Sequence, residues 1–323
     1  MKNKRTLAYI ALLVNTAIWG SALPIIKPAL EHISSFHYLF FRYLIAAPLS
    51  LPLLIYLLLK HKPHLKTILT ITLIETVQAL GILILFTGLK LTTSIEASFI
   101  TNSSPIFTTL GAVLLLREKE ERHELIGLIL AIFGISLVTI EPLLRGSANI
   151  NGFSLLGNFI VLCFALNFAL YSILTKKYYK QVPKLLAASI NFWLSLIIFF
   201  SITYASFGYP GDLINTILSP LSQPTVAIAA IYMGFLGSVI ALPALIIGYS
   251  LIEVSEASLF TYLQPIFYIP LAVLWLKEPF HPIMILAFGL ILTGVIIAEK
   301  RFRSKKPNPH SLTSLVAKSL HLN

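Results

Sequence analysis

Charge is scarce in this chain. Of 323 residues only 11% are Asp, Glu, Lys or Arg, whereas 57% are hydrophobic. A soluble domain carries about 25% charged residues, so this composition excludes a water-soluble globular protein and belongs in lipid. Cysteine is nearly absent: Cys163 stands alone, which excludes an intrachain disulfide and a Cys-based metal site. His123, His281 and His310 are surface-like and too scattered for a metal cluster, so neither metal nor cofactor is expected. There is no Gly-x-x-x-x-Gly-Lys loop, no His-Glu-x-x-His and no plausible buried nucleophile–base pair. No polar stretch is long enough for a soluble catalytic domain, so the chain reads as a non-enzyme.

What is present is a series of apolar runs near the roughly 20 residues that a spanning helix needs. They fall at 7–28, 37–59, 67–89, 94–116, 124–141, 152–175, 184–207, 223–250, 255–276 and 281–298. The fifth and tenth are short, and 223–250 is long enough to be tilted or broken. The basic start Met1-Lys2-Asn3-Lys4-Arg5 resembles a signal peptide. The apolar run behind it, however, continues through Trp19 and Pro24, and an uncleaved first helix is expected.

The net charge of +11 is explained by topology rather than by nucleic acid. With the N-terminus in the cytoplasm, 19 of the 24 Lys and Arg fall on the cytoplasmic side, in the segments 2–5, 60–66, 117–122, 176–184 and 300–318. Lys27, Lys90, Arg145 and Lys277 fall outside, and Arg42 lies within a span. This is the positive-inside pattern, and it places both termini in the cytoplasm. The bilayer is the expected partner, with some affinity for anionic headgroups.

The chain also repeats itself. Glu96-Ala97-Ser98-Phe99-Ile100-Thr101, followed by Pro105-Ile106-Phe107, returns 160 residues later as Glu256-Ala257-Ser258-Leu259-Phe260-Thr261 and Pro265-Ile266-Phe267. The same offset carries Gly88 onto Gly248, Glu118 onto Glu278 and Gly134 onto Gly294. Upstream, an offset of 149 carries Trp19 onto Phe168, Lys27 onto Lys176 and Arg42 onto Asn191. Five spans per repeat is an odd number, so the second repeat enters the membrane from the opposite side. The expected fold is therefore an all-α membrane protein of ten transmembrane helices in two inverted five-helix repeats. Residues 1–141 form the first repeat, 142–151 an external linker, 152–300 the second repeat and 301–323 a basic cytoplasmic tail. In such folds the binding site lies near mid-membrane between the repeats, often at broken helices.

Polar residues inside the runs are the candidate site. Glu75 and Gln78 share one face of the third span, one turn apart. A carboxylate at that depth costs several kcal/mol unless paired or hydrated. It reads as a proton-coupling group or a partner for a substrate amine, or else as a glutamate paired within the bundle. Arg42 could hold a carboxylate or phosphate bidentately, or clamp a helix end near Glu31. Asn102, Ser103 and Ser104 precede Pro105, while Tyr262 and Gln264 precede Pro265. Each proline frees a backbone carbonyl that neighbouring polar groups can satisfy, which makes both a helix break and a binding position. Asn15 and Trp19 are cavity-lining candidates in the first repeat; Asn167 with Tyr171, and Asn191 with Trp193, are their second-repeat equivalents. Packing is the alternative for each aromatic.

Other conspicuous residues read as structural. Thr93-x-x-Glu96 is a capping box. Glu118 and Glu278 end their helices and tie neighbours at the surface. Gly81, Gly88, Gly127, Gly134, Gly234, Gly237, Gly289 and Gly294 permit close helix contact.

Trp19-Gly20-Ser21 with Pro24 and Lys27, Arg42, the paired Pro-Ile-Phe helices and their following glutamates together resemble the EamA family, the ten-helix branch of the drug/metabolite transporter superfamily. Ile126-Gly127 with Phe133-Gly134, and Phe288-Gly289 with Thr293-Gly294, resemble its closing helices. The resemblance covers about residues 7–300, and it departs from the usual pattern at Glu75 and at Glu120-Glu121. It implies ATP-independent export or exchange of a small polar metabolite, most simply an amino acid or derivative, across the cell inner membrane. The alternatives are an importer or exchanger of a nucleoside-containing metabolite such as S-adenosylmethionine and, in another class, an intramembrane enzyme or a non-transporting partner of one. A homodimer is left open.

Overall fold

A computed structural model describes residues 2–104, 106–108, 111, 122–144, 154–179, 182–208, 212, 214–252, 257 and 259–299. The described residues are mostly helical, without strands. The elements are α1 (Lys2–Gly20), α2 (Ala22–His32), α3 (Ser35–His61), α4 (Leu65–Leu91), α5 (Ser94–Asn102), α6 (Arg122–Leu144), α7 (Ser154–Tyr178), α8 (Lys184–Ser206), α9 (Pro224–Leu251), α10 (Pro265–Trp275) and α11 (Pro282–Glu299). Among the described residues, six helical stretches are long and apolar enough to cross a membrane: Lys4–His32, Ser35–His61, Leu65–Leu91, Leu155–Tyr178, Lys184–Ser206 and Pro224–Leu251. Shorter apolar helices accompany them. Large side chains such as Leu7, Leu59, Leu73, Ile129, Ile197 and Leu274 point outward, an apolar exterior that suits lipid.

Local chemistry sets the helix ends. Ser34 caps α3 by accepting from the His37 N–H, and Lys62 closes it in the left-handed conformation at φ 43°. The expected capping box opens α5: Thr93 Oγ1 accepts from the Glu96 N–H at 3.1 Å, and Glu96 Oε2 accepts from the Thr93 N–H at 3.4 Å. The long run 223–250 is one helix with a widened, π-type middle from Tyr232 to Ala241. Pro243 lies just beyond it. Proline lacks an N–H and crowds the carbonyl four residues back, and a wider turn relieves both.

Long antiparallel pairs organise the bundle, and each joins an element of the first half to one of the second. Along α4 and α7, Glu75 meets Tyr171, Gly81 meets Asn167, and Gly88 meets Val161. Along α3 and α8, the Tyr43 ring stacks on Phe199 at 5.9 Å, and His37 meets Phe207 at 5.5 Å. On α1 and α9, Leu12 packs on Gly248 and Trp19 on Gly237. Between α6 and α11, Gly134 lies against Ala287 and Ile291, and Gly294 against Gly127 and Ala131. Phe99 of α5 meets Tyr268 of α10 edge-on at 5.9 Å. Small residues at the crossings let the backbones approach, which lipid-embedded helices need in place of a hydrophobic driving force. Gly289 departs from this role: nothing lies within 4 Å of where its Cβ would stand.

Candidate functional site

The strongest polar feature of the interior is Glu75, eleven residues into α4 and 1% exposed. Its carboxylate accepts from Tyr179 Oη at 2.8 Å and from Tyr171 Oη at 3.2 Å. Its backbone carbonyl accepts from Asn191 Nδ2 of α8 at 3.3 Å. Among the described residues no cation pairs with it. Two phenols suit a carboxyl group in either form: an ionised one accepts from both, while a protonated one donates to one and accepts from the other. The cradle can therefore take up and release a proton without losing its connections.

Around Glu75 the interior holds polar atoms without hydrogen-bond partners. Gln78 lies one turn further along α4, and its Oε1 is buried and unpartnered. Asn167 lies one turn before Tyr171 on α7 and packs against Gly81, and its Oδ1 is likewise unpartnered. Elsewhere on α8, Trp193 Nε1 and Ser195 Oγ are also buried without partners. A buried polar atom left unpaired costs about 1–3 kcal/mol.

Arg42 is 9% exposed, its Nε has no partner, and its guanidinium lies 5.2 Å from the centroid of the Tyr43 ring. It does not reach Glu75. Tyr38, one turn before Arg42, meets Phe86 of α4 at 5.2 Å, which sets Arg42 about two turns from Glu75, roughly 10 Å along the helix axis. Two further buried atoms without partners are Asn102 Nδ2 on α5 and Tyr268 Oη on α10.

Other sequence candidates serve the backbone. Asn15 Nδ2 donates to the Ala241 carbonyl at 3.0 Å, and Trp19 Nε1 to the Gly237 carbonyl at 3.1 Å. Both acceptors belong to the widened turn of α9, so α1 clasps that turn; Tyr232 Oη returns a bond to the Ile18 carbonyl at 3.0 Å. Ser103 Oγ turns back to the Ile100 carbonyl. Pro265 begins α10 after a 3-10 turn at Leu259–Leu263, and Thr16 Oγ1 donates to the Phe260 carbonyl of that turn. Gln264 sits at the break, with its backbone against Gly20. Pro105 and the Tyr262 side chain lie outside the described residues. Tyr179 and Thr16 were not singled out by sequence. Tyr179 lies beyond the expected end of its span at 175, and Thr16 neighbours the more conspicuous Asn15.

A cavity of about 240 Å³ opens elsewhere, lined by Phe107, Ile132, Ile135, Thr139, Ile140 and Leu162. Ser136 also lines it, and the Ser136 and Thr139 hydroxyls each donate to a carbonyl of their own helix. The lining is apolar and suits an acyl chain better than a polar solute.

The chain resembles known proteins along nearly its whole length. The sequence pattern of the EamA-like transporter family matches residues 6–140 and again 155–299. The chain is 25% identical over 308 residues to the uncharacterized transporter YetK of Bacillus subtilis (strain 168), covering 94% of this chain and 89% of that protein. It is 23% identical over 312 residues to the uncharacterized transporter YcxC of the same organism, covering 96% and 98%. An uncharacterized transporter of Archaeoglobus fulgidus is 27% identical over 304 residues, covering 92% and 87%. The chain is thus a multi-pass membrane protein that belongs to the EamA-like transporter family.

Proposed function

We propose that this protein is a secondary transporter of the cell inner membrane. It moves a small polar metabolite, most simply an amino acid or derivative and in the export direction, by alternating access. Ten spans form two inverted repeats with both termini in the cytoplasm, and the cargo binds between them beside Glu75, Gln78 and Asn167. The proton gradient, or exchange against a counter-substrate, drives the cycle.

One observation carries this reading: a buried carboxyl held by two phenols of the other half, Tyr171 on α7 and Tyr179 just past its end, beside unpartnered polar atoms. A group that binds a proton at the junction of two moving bodies can couple that proton to their motion. The pairing pattern is a second support. α4 pairs with α7 and α1 with α9, while α3 and α6 each pair with the element at the corresponding place of the other half. A twofold axis between inverted halves generates this arrangement.

The test is uptake into proteoliposomes, using a mixture of labelled amino acids and S-adenosylmethionine, with and without an imposed pH gradient. Wild type should accumulate label only with the gradient, and Glu75→Gln should lose that accumulation. Transport that needs only an internal counter-substrate and survives Glu75→Gln would leave exchange as the mechanism and remove Glu75 from coupling. Absence of any transport in folded protein would sink the reading of cargo and drive together.

A further inference from the structure

Glu278 was expected at the surface. The structure instead buries it, at 8% exposed, between elements of the other half of the chain. Its Oε1 accepts from the Ser94 N–H at 2.8 Å, and its Oε2 from the Ser94 hydroxyl at 2.8 Å and the Ile95 N–H at 3.1 Å. Lys27 of α2 completes the set, with Nζ 3.1 Å from Oε1. The Lys27 ammonium also donates to the Thr92 carbonyl, which fixes it over the α4–α5 connection. A carboxylate at a helix N-terminus satisfies otherwise orphan N–H groups and meets the positive end of the helix dipole. Here the helix, α5, belongs to the first half and the carboxylate to the second.

The approach of Glu278 is specifically built. Lys277 takes the left-handed conformation at φ 57°, and the Glu278 N–H donates back to the Ala272 carbonyl at 3.0 Å. The turn that ends α10 thereby aims the following residue at α5. A non-glycine residue in this region costs on the order of 1–2 kcal/mol, which the surrounding contacts must offset. The floor beneath the contact is sealed, since Ser94 and Asn158 are fully buried and Thr92 nearly so.

We propose that Glu278, held by Lys27 and the N-terminus of α5, is the latch that keeps the two halves closed at the outer end of the transporter. Opening toward the outside breaks this contact and frees the carboxylate. The inference rests on the two-body transport reading above, and it adds which contact must part for the outer face to open. Four donors on one carboxylate make the closed arrangement discrete: it is made or broken as a unit, as a two-state gate requires.

Accessibility tests the latch without any knowledge of the cargo. In a Cys163→Ser background, Gln78→Cys serves as the reporter, and a membrane-impermeant maleimide is added from either face. Glu278→Gln and Lys27→Gln should each raise the labelling rate from the outer face by about tenfold, the factor for one lost charge-assisted bond. Labelling from the cytoplasmic face should not rise. Ser94→Ala removes one hydroxyl and leaves the rest, so it keeps the test open if Glu278→Gln does not fold; a smaller rise in the same direction is expected. Anything other than a rise confined to the outer face overturns the latch. With transport measured in protein that keeps Gln78, a chain that transports nothing while the reporter labels as expected would keep the latch and sink the transport reading. One that transports but labels alike in all variants would do the reverse.

Discussion

Gln78 offers the sharpest test of function against packing at the level of single residues. Its buried Oε1 makes no hydrogen bond, so Gln78→Leu removes an unpaired polar group at nearly constant volume. Such a change should raise stability by about 1 kcal/mol if the amide has no work to do in the fold. We expect Gln78→Leu to melt at a higher temperature than wild type in detergent while losing transport. A lower melting temperature would mean that the amide supports the fold after all. The position was legible in the sequence, along with Glu75, Asn167 and Tyr171, because a polar side chain in an apolar run stands out. Asn15 and Trp19 stood out equally, but their partners did not. They bond to carbonyls of Ala241 and Gly237, and the winding of α9 sets where those carbonyls lie. Backbone acceptors carry no sequence signature.

Helix pairs of this protein meet at glycines, and the glycines are not equivalent. A Cβ on Gly294 would stand 2.5 Å from the Gly127 carbonyl oxygen, whereas one on Gly289 would meet nothing within 4 Å. Gly294→Ala should therefore force α6 and α11 apart and destabilise by on the order of 1–3 kcal/mol. Gly289→Ala, on the same helix, should be neutral or slightly stabilising. Paired thermal melts check this, and equal effects would mean that the helices are not packed as described. Helix extents were largely legible: the run 184–207 is Lys184–Ser206, 281–298 is Pro282–Glu299, and 223–250 is Pro224–Leu251. Charged or proline-containing turns mark those ends. The break between α1 and α2 inside the run 7–28 was not anticipated. There Gly20 and Ser21 let the chain pass the backbone of Gln264, a contact some 240 residues away in sequence.

Across the whole molecule, the two halves are interleaved rather than stacked as independent units. The repeat was visible in the sequence, but the pairing was not. Helices apolar on every side mark no face for a particular neighbour, and glycine spacing alone does not choose between partners. Interleaving predicts that residues 1–150 and 151–323, made as separate chains, each fail to yield a stable protein. Co-expression should restore a complex that can be purified intact. A first half that is monomeric and resists proteolysis by itself would contradict the pairing. The same pairing bears on synthesis. α4 waits for α7, and α6 for α11, so early helices must enter the bilayer before the surfaces they will rest on have been made. At roughly 5–20 residues per second, the delay between the end of α4 and the end of α7 is on the order of ten seconds. During that interval Glu75 has no phenols to meet it, and the nascent chain must hold a carboxyl group in the membrane on its own.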